Sequence, residues 1–354
     1  MNKEIIFISN FLGNGGAARV ITVLAESLYQ KGYNVSIIAF PFSGQEYPKS
    51  DHITYKILDL GNSNGLASKF KRISLIRREL KKYNQATVIS FEYFINMMTV
   101  VANIGLKHKL IISERNDPAH KGGNFPNKQL RNILYRKADC LVCQTPDAKA
   151  YFPKSIQNKT VVIPNPIKAD LPAPWNGKRE KEIVNFCRLN PQKNLKLLID
   201  SFGDFSKKFD DYVLKIYGDG NLRDELEDYV LSKNMKDKIM ILPAVSDIHE
   251  RVKKAAMFVS SSDYEGLSNS MLEAMALGIP TICTDCPCGG AAMIIDNEKN
   301  GLLVPVGNKA AMIDAMKRVA GDQELASQLS DEGVKIRTQL AADKIVEQWR
   351  GVIE

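Results

Sequence analysis

The chain has 354 residues, 44% hydrophobic and 25% charged, with a formal net charge of +8. That length is about twice a typical domain, and the composition excludes a disordered, fibrous or disulfide-stapled chain. No run of about 18 apolar residues occurs, so neither a transmembrane helix nor a signal peptide is expected.

Residues 3–9 read as a buried strand, followed by the turn Gly13-x-Gly15-Gly16 and a helix from about Ala17 to Lys31, with Gly32 as its stop. Glycines at a strand-to-helix turn let the backbone approach a phosphate or sugar, which makes Gly15 and Gly16 candidate ligand contacts. The full dinucleotide fingerprint is absent, because the third glycine is missing and no acidic residue ends the second strand. Strands recur at 33–39, 53–58, 86–91, 109–114 and 139–144, alternating with helical stretches, which predicts a parallel doubly wound sheet. Thr145-Pro146 supplies an N-cap and a first-turn proline for one of those helices.

Charge is unevenly placed. Residues 1–166 carry 23 Lys and Arg against 11 Asp and Glu, or +12, whereas 167–354 carry 25 against 29. Residues 68–83 alone hold seven basic residues and one acid. Phe70, Ile73, Ile76, Leu80 and Tyr83 fall on one helical face and are expected to pack, leaving Lys71, Arg72, Arg78 and Lys82 outward. That outer face is either a solvated surface or attracts anionic lipid headgroups or a polyphosphate-linked acceptor. Arg115, in Ser113-Glu-Arg-Asn-Asp-Pro118 after a strand, is expected as a fixed cation facing the cleft between the domains. Pro164-Asn-Pro166 ends the first domain, 1–166, and 168–182 reads as a linker.

The second domain, 167–337, restarts the alternation with strand Ile183–Cys187. Arg188 and Lys193 then stand in one strand-to-helix loop, with Asn194 as the expected cap. Glycine turns follow at Tyr217-Gly-Asp-Gly220, and a loop spans Leu242–Ile248. The stretch Ser262–Pro280 is a polar loop running into a helix. Ser268 and Asn269 are candidate caps, Ser270-x-x-Glu273 fits a capping box, and Gly278 and Pro280 are stops. A helix start there offers unpaired N–H groups to an anion. Glu265 and Glu273 stand on either side of that start, where carboxylates accept hydrogen bonds from sugar hydroxyls. Taken singly, each also fits a bland role, one as a solvated loop residue and one as a cap. The cysteines at 283, 286 and 288 lack a second pair or a His cluster at ligand spacing, so reduced thiols rather than a zinc site are expected. A last helix from about Ala341 carries Trp349.

Glu265-Gly-Leu-Ser-Asn-Ser-Met-Leu-Glu-Ala-Met-Ala-Leu-Gly-Ile-Pro280 resembles the signature of the retaining glycosyltransferases of family four, which have the GT-B fold. Gly15-Gly-Ala-Ala-Arg-Val20, Arg188-Leu-Asn-Pro-Gln-Lys-Asn194 and Pro164-Asn-Pro166 resemble further motifs of that family, in the same order. The resemblance implies two facing doubly wound Rossmann-like domains, with the last helix, 338–354, packed back on the first. It implies a donor-binding second domain and an acceptor-binding first one. Arg188 and Lys193 would grip the diphosphate, Glu265 the donor sugar, Glu273 the ribose hydroxyls, and Val245 the base. Gly266, Leu267, Ser268 and Asn269 would line the same site. Many relatives have a His where this chain has Arg115, and His120 lies close by in sequence.

The activity so implied is metal-independent transfer of a hexose or N-acetylhexosamine from a nucleoside diphosphate sugar, UDP foremost, to an acceptor hydroxyl with retention. The acceptor implied is a lipid-linked glycan of bacterial polysaccharide or glycoprotein glycan synthesis. No cofactor and no nucleic-acid partner are expected. The place expected is the cytoplasmic face of the cell membrane, through an anionic surface. Two other classes stay open: a non-catalytic nucleotide- or glycolipid-binding protein of the same fold, and a nucleotide-sugar epimerase.

Overall fold

Unbroken apolar runs become strands covered on both faces: Ile5, Ile6, Phe7 and Ile8 are all fully buried, as parallel sheets require. The computed structural model describes residues 4–13, 16–41, 49–61, 65–120, 123, 125–168 and 170–354. The chain divides into two units, Met1–Pro166 with Ala342–Glu354, and Ile167–Ala341.

The first unit holds seven strands: β1 (Glu4–Ile8), β2 (Asn34–Ala39), β3 (Thr54–Ile57), β4 (Thr87–Phe91), β5 (Lys109–Ser113), β6 (Cys140–Cys143) and β7 (Thr160–Val162). They run parallel in the order β3-β2-β1-β4-β5-β6-β7. The second holds β8 (Glu180–Phe186), β9 (Val213–Tyr217), β10 (Ile239–Leu242), β11 (Ala255–Ser260), β12 (Thr281–Asp285) and β13 (Leu302–Pro305), parallel in the order β10-β9-β8-β11-β12-β13. Both sheets are therefore doubly wound α/β, as the alternation of patterns predicts. The order reverses at β1 in one sheet and at β8 in the other, and connections leave each reversal in opposite directions. In folds of this kind ligands bind outside the carboxyl ends of the strands at such a reversal.

Helix Leu195–Phe205 buries Leu195, Leu198, Ile199, Phe202 and Phe205, the five residues expected on its inner face. Thr145 caps its helix, its Oγ1 accepting from the Ala148 N–H at 3.1 Å. In the first unit, helix Ala342–Ile353 stacks Trp349 on Phe91, ring centroids 5.7 Å apart. Lys109 Nζ donates to the Ile353 carbonyl at 3.0 Å.

Helix Gly65–Leu80 corrects an expectation. Its buried residues are Leu75, Ile76, Glu79 and Leu80, while Phe70 is 71% exposed. The apolar positions fit two stripes about one residue apart, and the helix packs on the one that passes through position 72. Arg72 is accordingly half-buried, stacked over the Phe40 ring at 4.2 Å and donating to Asn10 Oδ1 at 2.8 Å. Lys71 donates to the Leu60 carbonyl at 2.7 Å, and Lys82 is paired with the buried Glu79. Of the four cations expected to point outward, Arg78 and Lys82 remain exposed and Lys71 and Arg72 turn inward.

Candidate active site

The reversal point of the second sheet places the loop after β8, which carries Arg188 and Lys193, beside the loop after β11, and brings Lys193 against Glu265. Arg188 is exposed, and its loop is laced by backbone to the turn after β9. Cys187 N–H donates to the Tyr217 carbonyl at 2.9 Å and Leu189 N–H to the Asp219 carbonyl at 2.9 Å. Only glycine allows that approach. A Cβ on Gly218 would lie 1.8 Å from the Cys187 oxygen, and one on Gly220 2.1 Å from the Leu189 oxygen.

A single 3-10 turn, Pro191–Lys193, follows, and Asn194 ends it in a left-handed conformation with φ 43°. Asn194 is not a side-chain cap. Its Nδ2 donates to Asp263 Oδ1 at 2.7 Å, while Gln192 Nε2 donates to the Tyr264 carbonyl at 2.9 Å. These bonds hold the two loops in register.

Between them the Lys193 ammonium pairs with the Glu265 carboxylate, both largely buried. Burial is the largest single influence and lowers the lysine, yet the Glu265 charge and hydrogen bond, together with the nearby Cys187 and Cys286, hold it above its usual value. Ser262 Oγ donates to Glu265 Oε1 at 3.1 Å. The Glu265 backbone is clasped twice, its N–H donating to the Pro287 carbonyl at 2.7 Å and its carbonyl accepting from the Cys288 N–H at 2.9 Å. Burial pushes the neighbouring Cys187 and Cys286 thiols up to about 12 and raises Cys283 as well. The thiols are therefore neutral and unreactive there. None of the six cysteines forms a disulfide. Among the described residues, no group of three His, Cys, Asp or Glu side chains is placed to hold a metal ion.

Helix Asn269–Ala276 starts on Ser268, whose Oγ accepts from the Met271 N–H at 3.4 Å, and stops where Gly278 turns left-handed at φ 71°. The expected capping box does not form. Glu273, 5% exposed, points instead to His249, whose Nε2 lies 2.9 Å from Glu273 Oε2. His249 carries no motif signal and was invisible in the sequence: 24 residues and a strand separate the two. Gly266 and Leu267 are buried under this loop, and Ser268 and Asn269 are half-buried at the helix start. Val245 is half-buried in a loop tied to the turn after β9 by Ala244 N–H donating to Asp219 Oδ2 at 3.3 Å. In the first unit Gly16 is exposed at its helix start, and Gly15 lies outside the described residues.

Arg115 follows β5 by two residues. Its guanidinium lies 4.7 Å from the Phe91 ring centroid and 5.4 Å from that of Trp349, and donates to Asn165 Oδ1 at 3.2 Å. Desolvation lowers it to about 9. Packed over both rings, it helps fasten the C-terminal helix to the sheet. His120 is half-exposed, with Nδ1 2.6 Å from the buried Asp117 carboxylate, an arrangement that orients an imidazole.

Behind Arg115, Glu114 is fully enclosed and accepts from the Tyr135 hydroxyl, which in turn accepts from Asn96 Nδ2 at 3.2 Å. Desolvation raises Glu114 from 4.5 to about 7, against the pull of Arg131. Because the folded state binds this proton more tightly than the unfolded chain does, its stabilisation is complete below about pH 4.5 and lost as pH rises through 7. Glu114→Gln should remove that slope. Urea unfolding at pH 5.5 and pH 8 is expected to show a wild-type loss of about 2 kcal/mol that the variant lacks.

Two family models match the chain: "Glycosyl transferases group 1" over residues 169–335 and "Glycosyltransferase Family 4" over residues 14–171. A Campylobacter jejuni α-1,4-N-acetylgalactosaminyltransferase, named for a GalNAc-GalNAc-diNAcBac-PP-undecaprenol, is 28% identical over 99% of this chain and 98% of its own. A second from that organism, named for an N-acetylgalactosamine-N,N'-diacetylbacillosaminyl-diphospho-undecaprenol, is 29% identical over 92% of each chain. The crystal structure of Anabaena HepE in complex with UDP superposes with a TM-score of 0.80 at 16% identity, covering 99% of both chains. With both sheets doubly wound and the two models spanning nearly the whole chain in order, this chain belongs to the family-four glycosyltransferases of GT-B fold and resembles those of bacterial glycan assembly.

Proposed function

We propose that this glycosyltransferase moves an N-acetylhexosamine or hexose from a UDP-sugar to a hydroxyl of a lipid-linked glycan, with retention and without a metal. The observation that carries it is the Lys193–Glu265 pair at the reversal point of the second sheet, with Glu273 on the helix that starts beside it. On donor arrival the Lys193 ammonium exchanges Glu265 for the diphosphate, joined by Arg188. Glu265, released, accepts hydrogen bonds from the donor sugar, and Glu273 accepts them from the ribose. Cations already in place where negative charge develops on the leaving UDP are the largest expected contribution to rate. The departing phosphate oxygen takes the acceptor's proton on the face where the new bond forms. No enzyme nucleophile enters that scheme. The first unit receives the acceptor.

The acceptor class is supported by the two lipid-linked relatives and by one surface. At the start of helix Gly65–Leu80, Leu66 and Phe70, one turn apart, are each 71% exposed, with Lys69 beside them and Arg78, Lys81 and Lys82 exposed further along. Apolar side chains flanked by cations suit the headgroup boundary of an anionic bilayer. We place the enzyme there, peripherally, on the cytoplasmic face. No helix among the described residues is long and apolar enough to cross a membrane.

The test pairs UDP-N-acetylgalactosamine, UDP-N-acetylglucosamine and UDP-glucose with a lipid extract and with GalNAc-terminated diphosphoundecaprenol. New lipid-linked product with an α-linkage is expected. Conversion of the donor sugar without acceptor would make it an epimerase, and donor binding without turnover a binding protein. In vesicle co-sedimentation, anionic vesicles should retain the protein at low salt. Part of that binding should persist at high salt and vanish in Leu66→Ser/Phe70→Ser, because salt screens charges beyond about 8 Å and leaves apolar insertion untouched. Equal binding to neutral vesicles, or none to anionic ones, would remove the membrane placement.

A further inference from the structure

His249 lies on the short helix Ile248–Val252, directly after the loop that carries Val245. Its bond to Glu273 joins two side chains only 12% and 7% exposed. Phe186, the last residue of β8, meets the imidazole edge-on with ring centroids 6.3 Å apart. A buried carboxylate beside an imidazole is harder to desolvate than an apolar pair of the same volume, so packing alone does not select it. What the pair does achieve is orientation. Glutamate has three side-chain torsions to fix, and its carboxylate offers about four acceptor positions, of which His249 takes one. The plane of the carboxylate then decides whether a ribose hydroxyl meets a lone pair.

We propose that His249 is a positioning residue that makes the nucleotide site select ribonucleoside over deoxyribonucleoside diphosphates, by holding Glu273 in the orientation that accepts from ribose. This rests on the assignment of Glu273 to ribose made above. The alternative, a purely structural pair, would affect all nucleotides alike.

Calorimetric titration of the whole chain with UDP, 2′-deoxy-UDP and 3′-deoxy-UDP separates the two. The wild type should prefer UDP over the weaker deoxy analogue by roughly tenfold to a hundredfold, the worth of one hydrogen bond to a charged group. His249→Ala should cut that ratio to about threefold or less while binding the deoxy analogue within about twofold of wild type, since the lost bond concerns only the missing hydroxyl. His249→Phe keeps the ring's bulk against Phe186 but donates nothing, and carries the same expectation should the alanine variant fold poorly. His249→Gln, whose amide can donate from a similar position, should retain most of the discrimination. Wild-type discrimination in folded His249→Phe would overturn the role of His249 alone, and so would its loss in His249→Gln to the same degree. A wild type that binds all three nucleotides equally would defeat the ribose assignment of Glu273, and this inference with it.

Discussion

Lys193→Ala is expected to lower transfer by about a hundredfold or more, on a scale of roughly 1.5–3 kcal/mol for each charged hydrogen bond lost in the transition state. It should also unfold more easily, because it strands the buried Glu265 carboxylate, and breaking one side of such a pair costs about 3–5 kcal/mol. Glu265→Ala should do the same from the other side. The double variant should recover part of the stability and none of the activity, since two absent charges leave nothing unpaired. Arg188→Ala serves as contrast. Its exposed guanidinium lies outside the pair, so turnover should fall about tenfold with the unfolding midpoint unchanged. The pair also predicts alkaline behaviour. Lys193 is raised in the folded state, so its stabilisation is present through neutral pH and disappears as pH climbs through the raised value above 10.5. Additive stability losses across the double-variant cycle would show that the pair is not energetically coupled, and wild-type turnover in Lys193→Ala would remove the diphosphate grip.

What the sequence revealed, it revealed through local chemistry. The unbroken run Ile5–Ile8 could only be a covered strand, Thr145-Pro146 and Ser268 announced helix starts, and Gly278 announced a stop. Lys193 and Glu265 were legible as motif residues, though not as partners. Their contact spans 72 positions and exists because β8 and β11 are neighbours in the sheet, which periodicity does not disclose. His249 was hidden for the same reason. The ring partners of Arg115, Phe91 and Trp349, were not legible either, because they come from a different strand and from the last helix. Phe70 misled for a different reason. A helix that is both basic and apolar supports two stripes almost equally, and a small rotation moves Phe70 to the surface and Arg72 against Phe40.

Gly290→Ala should be among the most damaging single methyl groups in the second unit. Gly290 opens helix Gly290–Ile294 against the loop that carries Glu265, and a Cβ there would stand 1.8 Å from the Gly266 oxygen and 3.1 Å from Leu267 Cα. Those are backbone atoms that cannot swing aside, and the neighbouring Glu265 backbone is clasped to Pro287 and Cys288 on both its N–H and its carbonyl. The helix or the loop must therefore shift as a body. Overpacking of this kind costs about 3 kcal/mol or more. A displacement near 1 Å of Glu265 and of the Ser268 helix start would lower turnover on the order of a hundredfold. Gly351→Ala is the matched control, since nothing lies within 4 Å of its Cβ and it sits inside helix Ala342–Ile353. That change should leave turnover intact and stabilise by about 0.5–1 kcal/mol, the usual gain of alanine over glycine in a helix. Thermal unfolding and UDP titration of the two variants side by side give the decision. If Gly290→Ala melts and binds UDP like Gly351→Ala, the close approach of Gly290 to the Glu265 loop does not govern the site.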